Sequence, residues 1–236
     1  MHDAGMVHSK TLQMALHKMA LHIQGLVSAI IPVYNGETFL AEALASVAAQ
    51  SLTELEIIVV DDGSTDRTRD MAQAFGDPRL RYFRQANAGA SVARNHGVEV
   101  CRGEMLAFLD ADDLWTPDKL RLQMASLERG DGDMIFGNVE EFASPAVTLP
   151  GASAVTLLMR RTAFERVGRF NADLRIGEFI DWYARAIDIG MKPAMLPQVL
   201  TRRRLHAHNQ GRHNRSRMVE YARVMKLVLD RRRKTH

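Results

Sequence analysis

The chain contains one cysteine, Cys101, in 236 residues. A single thiol cannot form an internal disulfide, and such sparing use fits a reducing compartment. No uninterrupted apolar run approaches the roughly 20 residues a helix needs to cross a bilayer, so a soluble, cytoplasmic protein is expected. Long Gly, Ser or Pro tracts are missing, no linker divides the chain, and no internal repeat is visible. Two phosphate-binding signatures are also absent. There is no Gly-x-x-x-x-Gly-Lys-Ser/Thr loop, and no Gly-x-Gly-x-x-Gly follows the first apolar strand. A phosphate-bearing ligand would rest instead on a metal ion and basic side chains.

What is present is ordinary for a globular protein, with 46% hydrophobic and 25% charged residues. The net charge of +3 conceals an asymmetry, because residues 202–236 hold 12 Lys/Arg and 2 Asp/Glu. The remaining 201 residues therefore carry an acidic excess of 7. A basic tail can lie peripherally on anionic lipid or meet an acidic partner, although a solvated helix face is commoner. No nucleic-acid partner is expected. At the other end, Leu12, Leu16, Met19 and Ile23 fall at helical spacing. Lys10, His17, Lys18 and His22 interrupt that face too often for a signal peptide, so residues 1–26 read as a leader or accessory helix.

Regular organisation begins at Val27. Val27–Val33 is a continuous β-type apolar run, as in a parallel strand buried on both faces. Further strands are expected at Glu56–Val60, Leu80–Arg84 and Met105–Leu109. Helix patterns alternate with them: one faced by Phe39, Leu40, Ala43, Leu44 and Val47, one capped by Ser64 or Thr65 and running to about Phe75, one opened by Gly89, and one from Pro117 to about Leu127. The second half predicts strands at Met134–Val139, Val155–Met159 and Ala194–Leu200, with a helix over Phe179–Ile189. In the last helix Met218, Tyr221, Ala222, Met225, Val228 and Leu229 form the face expected to dock on the core. Together these elements predict one α/β domain, a mainly parallel sheet with helices on both faces.

Chemistry-bearing residues collect where the early strands end. They are Tyr34 with Asn35, Asp61 with Asp62, and the run Asp110-Ala111-Asp112-Asp113. Open α/β sheets bind ligands at the carboxyl ends of their strands. Clustered Asp oxygens there suit a hard divalent cation that draws its other ligands from water and a substrate phosphate. Turn chemistry explains any one of these groups alone. Asp62 can accept hydrogen bonds from a base or ribose, and Tyr34 can cover a ring. Arg94, near the start of the helix opened by Gly89, is suited either to a diphosphate or to pairing with Glu99 or Glu104.

With these residues assembled, the chain resembles the family 2 glycosyltransferases, inverting enzymes of the GT-A fold. The resemblance rests on Ser28-Ala29-Ile30-Ile31-Pro32-Val33-Tyr34-Asn35, Val59-Val60-Asp61-Asp62-Gly63-Ser64-Thr65-Asp66, Ala93-Arg94-Asn95 and Phe108-Leu109-Asp110-Ala111-Asp112-Asp113, in order. It spans about residues 27–206, with 27–115 as the nucleotide-sugar half, 116–206 as the acceptor half and 207–236 as a basic C-terminal helix. The resemblance implies that Pro32, Tyr34 and Asp62 contact the nucleotide and Arg94 its surroundings. It further implies that Asp110 and Asp112 hold Mn²⁺ or Mg²⁺ on the diphosphate of a nucleotide sugar, a UDP-sugar in first place. Asp113 is expected to support the loop.

Later landmarks resemble the family as well. Gly151-Ala152-Ser153 looks like its acceptor-side loop, and Gly168-Arg169-Phe170-Asn171 like its Gly-x-Phe-Asp, with Asn for Asp. Gly177-Glu178-Phe179-Ile180-Asp181-Trp182-Tyr183-Ala184-Arg185 resembles the segment with the catalytic base, but Phe179 stands where the family has Asp. Asp181 is the first choice for the base, with Trp182 as a wall for a sugar ring, and Glu178 is the alternative. His206 resembles a C-terminal metal-side histidine. The implied activity is transfer of a sugar to an acceptor hydroxyl on a glycan, a lipid-linked molecule or a peptide. A non-catalytic nucleotide-sugar binder and a nucleotidyltransferase are the rival readings.

Overall fold

The computed structural model describes residues 22–142, 146–174, 176–205 and 215–235. Nine strands form one sheet: β1 Ile23–Val33, β2 Leu55–Asp61, β3 Leu80–Arg84, β4 Gly103–Phe108, β5 Leu114–Trp115, β6 Met134–Phe142, β7 Val147–Gly151, β8 Leu158–Arg160 and β9 Pro193–Arg204. The order is β3-β2-β1-β4-β8-β6-β9-β5, with β7 paired to β6 off this path. The helices are α1 Leu40–Ala48, α2 Thr68–Ala74, α3 Ala90–Val100, α4 Lys119–Arg129, α5 Arg161–Val167, α6 Glu178–Asp188 and α7 Arg215–Thr235.

β1 to β4 are mutually parallel. β8 is antiparallel to both β4 and β6, which sets β6 running with β4, and β9 runs parallel to β6. The carboxyl ends of β1, β2, β3, β4, β6 and β9 consequently share one edge. Burial follows the two-residue period of a strand. Ile57 and Val59 face the α1 and α4 side with Leu44 and Leu120, whereas Ile58 and Val60 face Ala93, Phe164 and Trp182 of α3, α5 and α6. Helices thus cover both faces, which is why the central strands are apolar without alternation.

Several local expectations change. β1 starts four residues earlier, at Ile23. Pro117 precedes α4 by two residues, and Asp66, rather than Ser64 or Thr65, accepts the Thr68 N–H that opens α2. Val155–Met159 is not one strand but a 3₁₀ turn, Ala154–Thr156, followed by β8. In α7 the docking residues are Val224 and Val228, while Tyr221, Met225 and Leu229 are exposed. Val224 can come close because Gly177, at φ +78°, has no side chain, and a Cβ there would meet Val224 at 3.0 Å. The expected leader lies mostly outside the described residues. Among those described, no helix is long and apolar enough to cross a membrane.

Candidate active site

The loops at the shared edge are tied to one another. Asn35, held at φ 51°, donates its backbone N–H to Ser64 Oγ and accepts from the Thr65 N–H. Gly36 N–H donates to Thr68 Oγ1 and Glu37 N–H to Asp66. These bonds set the chain beyond β1 against the chain beyond β2. Pro32 is buried within β1, opposite Val60, and Tyr34 stands 54% exposed just past the strand.

Asp62 is buried, and its carboxylate is engaged within the protein. Oδ1 accepts from Gln85 Nε2 and the Ala88 N–H, and Oδ2 accepts from the Gly89 N–H. It therefore shapes the loop leading into α3. Asp61 is buried beside it, accepting from the Ser64 N–H and the Tyr82 hydroxyl.

The aspartate cluster follows β4. Asp110, Asp112 and Asp113 each present a carboxylate oxygen, and these atoms lie within 4.8 Å of one another. The Asp113 N–H closes a turn on the Asp110 carbonyl, at 3.1 Å. Asp113 is 4% exposed, and burial, with the charges of Asp110 and Asp112 added, pushes its carboxyl up to about 8. Three carboxyl oxygens gathered at a half-buried turn fit a hard divalent cation. Asp110 and Asp112 are the more accessible pair, as both are partly exposed.

Arg94 joins this cluster to the second half of the chain. Its guanidinium donates from Nη2 to Asp110, at 2.7 Å, and from Nη1 to Glu178, at 2.6 Å. Burial opposes the charge on Arg94, but the charges of Asp110 and Glu178 and their hydrogen bonds outweigh it and hold its pKa above the ordinary arginine value. Its Nε is buried with no partner among the described residues. The expected local partners are occupied elsewhere: Glu99 pairs with Arg169, and Glu104 with Arg160. Arg94 thus brings together Asp110 and Glu178, which are 68 residues apart in the chain.

Asp181 points elsewhere. It is buried, with Oδ2 accepting from Arg185 Nε at 3.0 Å and Oδ1 from Arg231 Nη1 of α7 at 2.9 Å. It lines a cleft of about 680 Å³ with Arg169, Arg185, Leu227 and Arg231. Trp182 is no sugar-binding wall. It is 0% exposed, packed on Phe164 and Phe179, with its indole N–H on the Gly168 carbonyl. Phe179 is half-buried against Phe136, Trp182 and Tyr183.

Three residues at the site were not anticipated. Gln85 positions Asp62, Arg231 pairs with Asp181, and Arg204 at the end of β9 meets the aspartate turn. Arg204 sits beside a recognised landmark, two residues before His206, and that was its only signal. His206 itself lies outside the described residues.

The edge loops, the aspartate turn and both ends of the Arg94 bridge lie in a stretch that matches a known family. A family model described as glycosyl transferase family 2 matches residues 28–180. The chain belongs to that family. Among its relatives, an uncharacterized glycosyltransferase of Rickettsia typhi is 43% identical over 106 residues, 45% of this chain and 33% of the relative. The UDP-Glc:alpha-D-GlcNAc-diphosphoundecaprenol beta-1,3-glucosyltransferase WfgD of Escherichia coli is 36% identical over 116 residues, 49% of this chain and 46% of the relative. The matched relatives are thus longer than the stretch this family 2 chain covers. Staphylococcus aureus TarS, in complex with UDP-GlcNAc, superposes with a TM-score of 0.75 at 21% identity, over 86% of this chain and 65% of its own. That likeness gives the family 2 chain a GT-A fold, a single α/β domain.

Proposed function

We propose that this protein transfers a sugar from a nucleotide-diphosphate sugar, a UDP-sugar in first place, to an acceptor hydroxyl with inversion. The observation that carries the reading is the aspartate turn at the end of β4, tied through Arg94 to Glu178 at the start of α6. UDP-GlcNAc bound by TarS and UDP-Glc in the name of WfgD support a UDP-linked donor. Asp112 and Asp110 would hold Mn²⁺ or Mg²⁺ on the donor diphosphate. Such an ion, when bound, neutralises charge that develops on the leaving oxygens. Tyr34 is exposed at the edge where a base or ribose would lie, and Asp62 orders the loop below it. Arg94 keeps Asp110 oriented and adds positive charge beside the diphosphate region. A panel of nucleotide sugars with Mn²⁺, read by release of free nucleoside diphosphate, tests the reading, and release from none of them would refute it.

Inversion needs one carboxylate to take the acceptor proton. The sequence puts Asp181 first, but its ion pairs shift the preference to Glu178. Both Asp181 oxygens are held by arginines facing the cleft between α6 and α7, whereas Glu178 shares Arg94 with the metal-side aspartate. The Oε2 atom of Glu178 accepts no hydrogen bond among the described residues. Glu178→Gln is expected to lower kcat by about 10²–10⁴ with little change in UDP affinity. Asp181→Asn is expected to loosen α7 and lower the unfolding midpoint while keeping most of kcat. The reverse pattern would return the role to Asp181. Phe179, standing where the family has Asp, favours the second reading, a nucleotide-sugar binder without turnover. Metal-dependent UDP binding with neither transfer nor donor hydrolysis would establish it.

A further inference from the structure

Arg204, the last residue of β9, grips the aspartate turn from the other half of the chain. Its backbone N–H donates to Asp113 Oδ1 at 3.0 Å, and its Nε donates to the Asp112 carbonyl oxygen at 3.2 Å. Its Nη2 donates to Glu42 of α1 at 2.6 Å. The guanidinium carbon lies 4.7 Å from the Phe39 ring centroid and 5.1 Å from that of Phe142. One side chain therefore joins α1, β6, β9 and the turn after β4.

We infer that Arg204 is a positioning residue for the donor site, fixing the backbone of Asp112 so that its carboxylate stays aimed at the cation on the donor diphosphate. This rests on the reading of the aspartate turn given above. The turn crowds three carboxyl groups, each with an oxygen within 4.8 Å of the others, and the Asp113 N–H closes it on the Asp110 carbonyl. Arg204 adds two further bonds, one to each of the last two aspartates. The stacking of its guanidinium between two rings and the Glu42 ion pair limit its freedom, so the grip is pre-organised.

The sign of the effect separates this role from plain electrostatics. A positive charge near a cation site weakens cation binding, so a merely electrostatic Arg204 would, when deleted, tighten Mn²⁺. A positioning Arg204 would, when deleted, weaken it. Arg204→Met keeps an apolar stem between Phe39 and Phe142 and removes the Nε donor. At saturating UDP it is expected to raise the Mn²⁺ concentration needed for half-maximal binding about tenfold or more by calorimetry, the range seen when groups supporting metal ligands are lost. Arg204→Lys is expected not to restore wild-type binding, since an ammonium cannot reproduce the fork on Asp112 and Glu42.

Glu42→Gln loosens only the outer anchor and is expected to weaken binding about threefold. It carries the test if Arg204→Met does not fold. Wild type and Asp112→Asn are run alongside. If wild type binds UDP with Mn²⁺ and Asp112→Asn does not, unchanged or tighter binding in Arg204→Met, or in Glu42→Gln where only that variant folds, overturns the inference while leaving the donor-site reading intact. If wild type shows no Mn²⁺-dependent UDP binding, the donor-site reading fails and Arg204 loses its assigned role with it.

Discussion

Replacing Asp112 with Asn is expected to abolish Mn²⁺-dependent UDP binding and to lower donor turnover by about 10³ or more. The size follows from the several kcal/mol that a bound cation contributes to charge stabilisation, at about 1.4 kcal/mol per decade of rate. Asp112 is singled out as the second carboxylate of the Asp110-Ala111-Asp112 pair and because it is partly exposed at the turn. Asp110 shares its charge with Arg94, and Asp113 is buried and holds the Arg204 N–H. Asn is close to Asp in shape, so the turn survives while the negative charge does not. Asp113→Asn is the matched control. It keeps an oxygen for Arg204 and removes a carboxyl that burial penalises, so a smaller loss of turnover and no loss of stability are expected. Calorimetry with UDP and Mn²⁺, together with unfolding midpoints, reads both variants. An Asp112→Asn protein that binds like wild type would remove the metal from this turn.

The strand-end chemistry was legible because parallel strands covered on both faces leave continuous apolar runs, and those runs make their ends conspicuous. For that reason the Leu80–Arg84 run coincides with β3, and the other early runs fall within a few residues of β1, β2 and β4. β5, with two residues, and β7, with four of five residues exposed, have no such run and leave no comparable signal in the sequence. α7 misled for a different reason. It carries two apolar stripes, and nothing local says that Val224 and Val228 are buried, Val224 against Gly177, while Met225 and Leu229 face outward. The site shows the same divide between local and distant causes. The Asp110–Asp113 cluster announces itself in four residues. Arg94 offered Glu99 and Glu104 as nearby partners, yet it pairs with residues 16 and 84 positions away. Such pairings are products of topology: β4 and β1 are neighbours, α3 packs on β1 and β2, and α6 starts beside Arg94 at the same edge.

Arg94→Met should be the most destabilising single change at the site, and it should cost rate as well. The guanidinium is 5% exposed and satisfies two carboxylates at once. Removing one partner of a buried pair costs about 3–5 kcal/mol, because the charge left behind stays desolvated. Asp110 is 40% exposed at its side chain, so water can partly replace the lost partner there. Glu178, at 15%, has less access to water and must protonate, turn outward or drag the start of α6 with it. The expected loss is therefore near the lower end, about 3 kcal/mol by urea unfolding. Turnover should fall by at least about 10², since Asp110 loses its orientation and Glu178 its tie to the donor side at the same time. Arg94→Lys should recover part of the stability but little of the rate. An ammonium can neutralise the region, yet it cannot hold Asp110 and Glu178 through separate nitrogens in the fixed geometry of a guanidinium. Full rate in Arg94→Lys would show that only charge is needed, and would detach the metal-side aspartate from the candidate base.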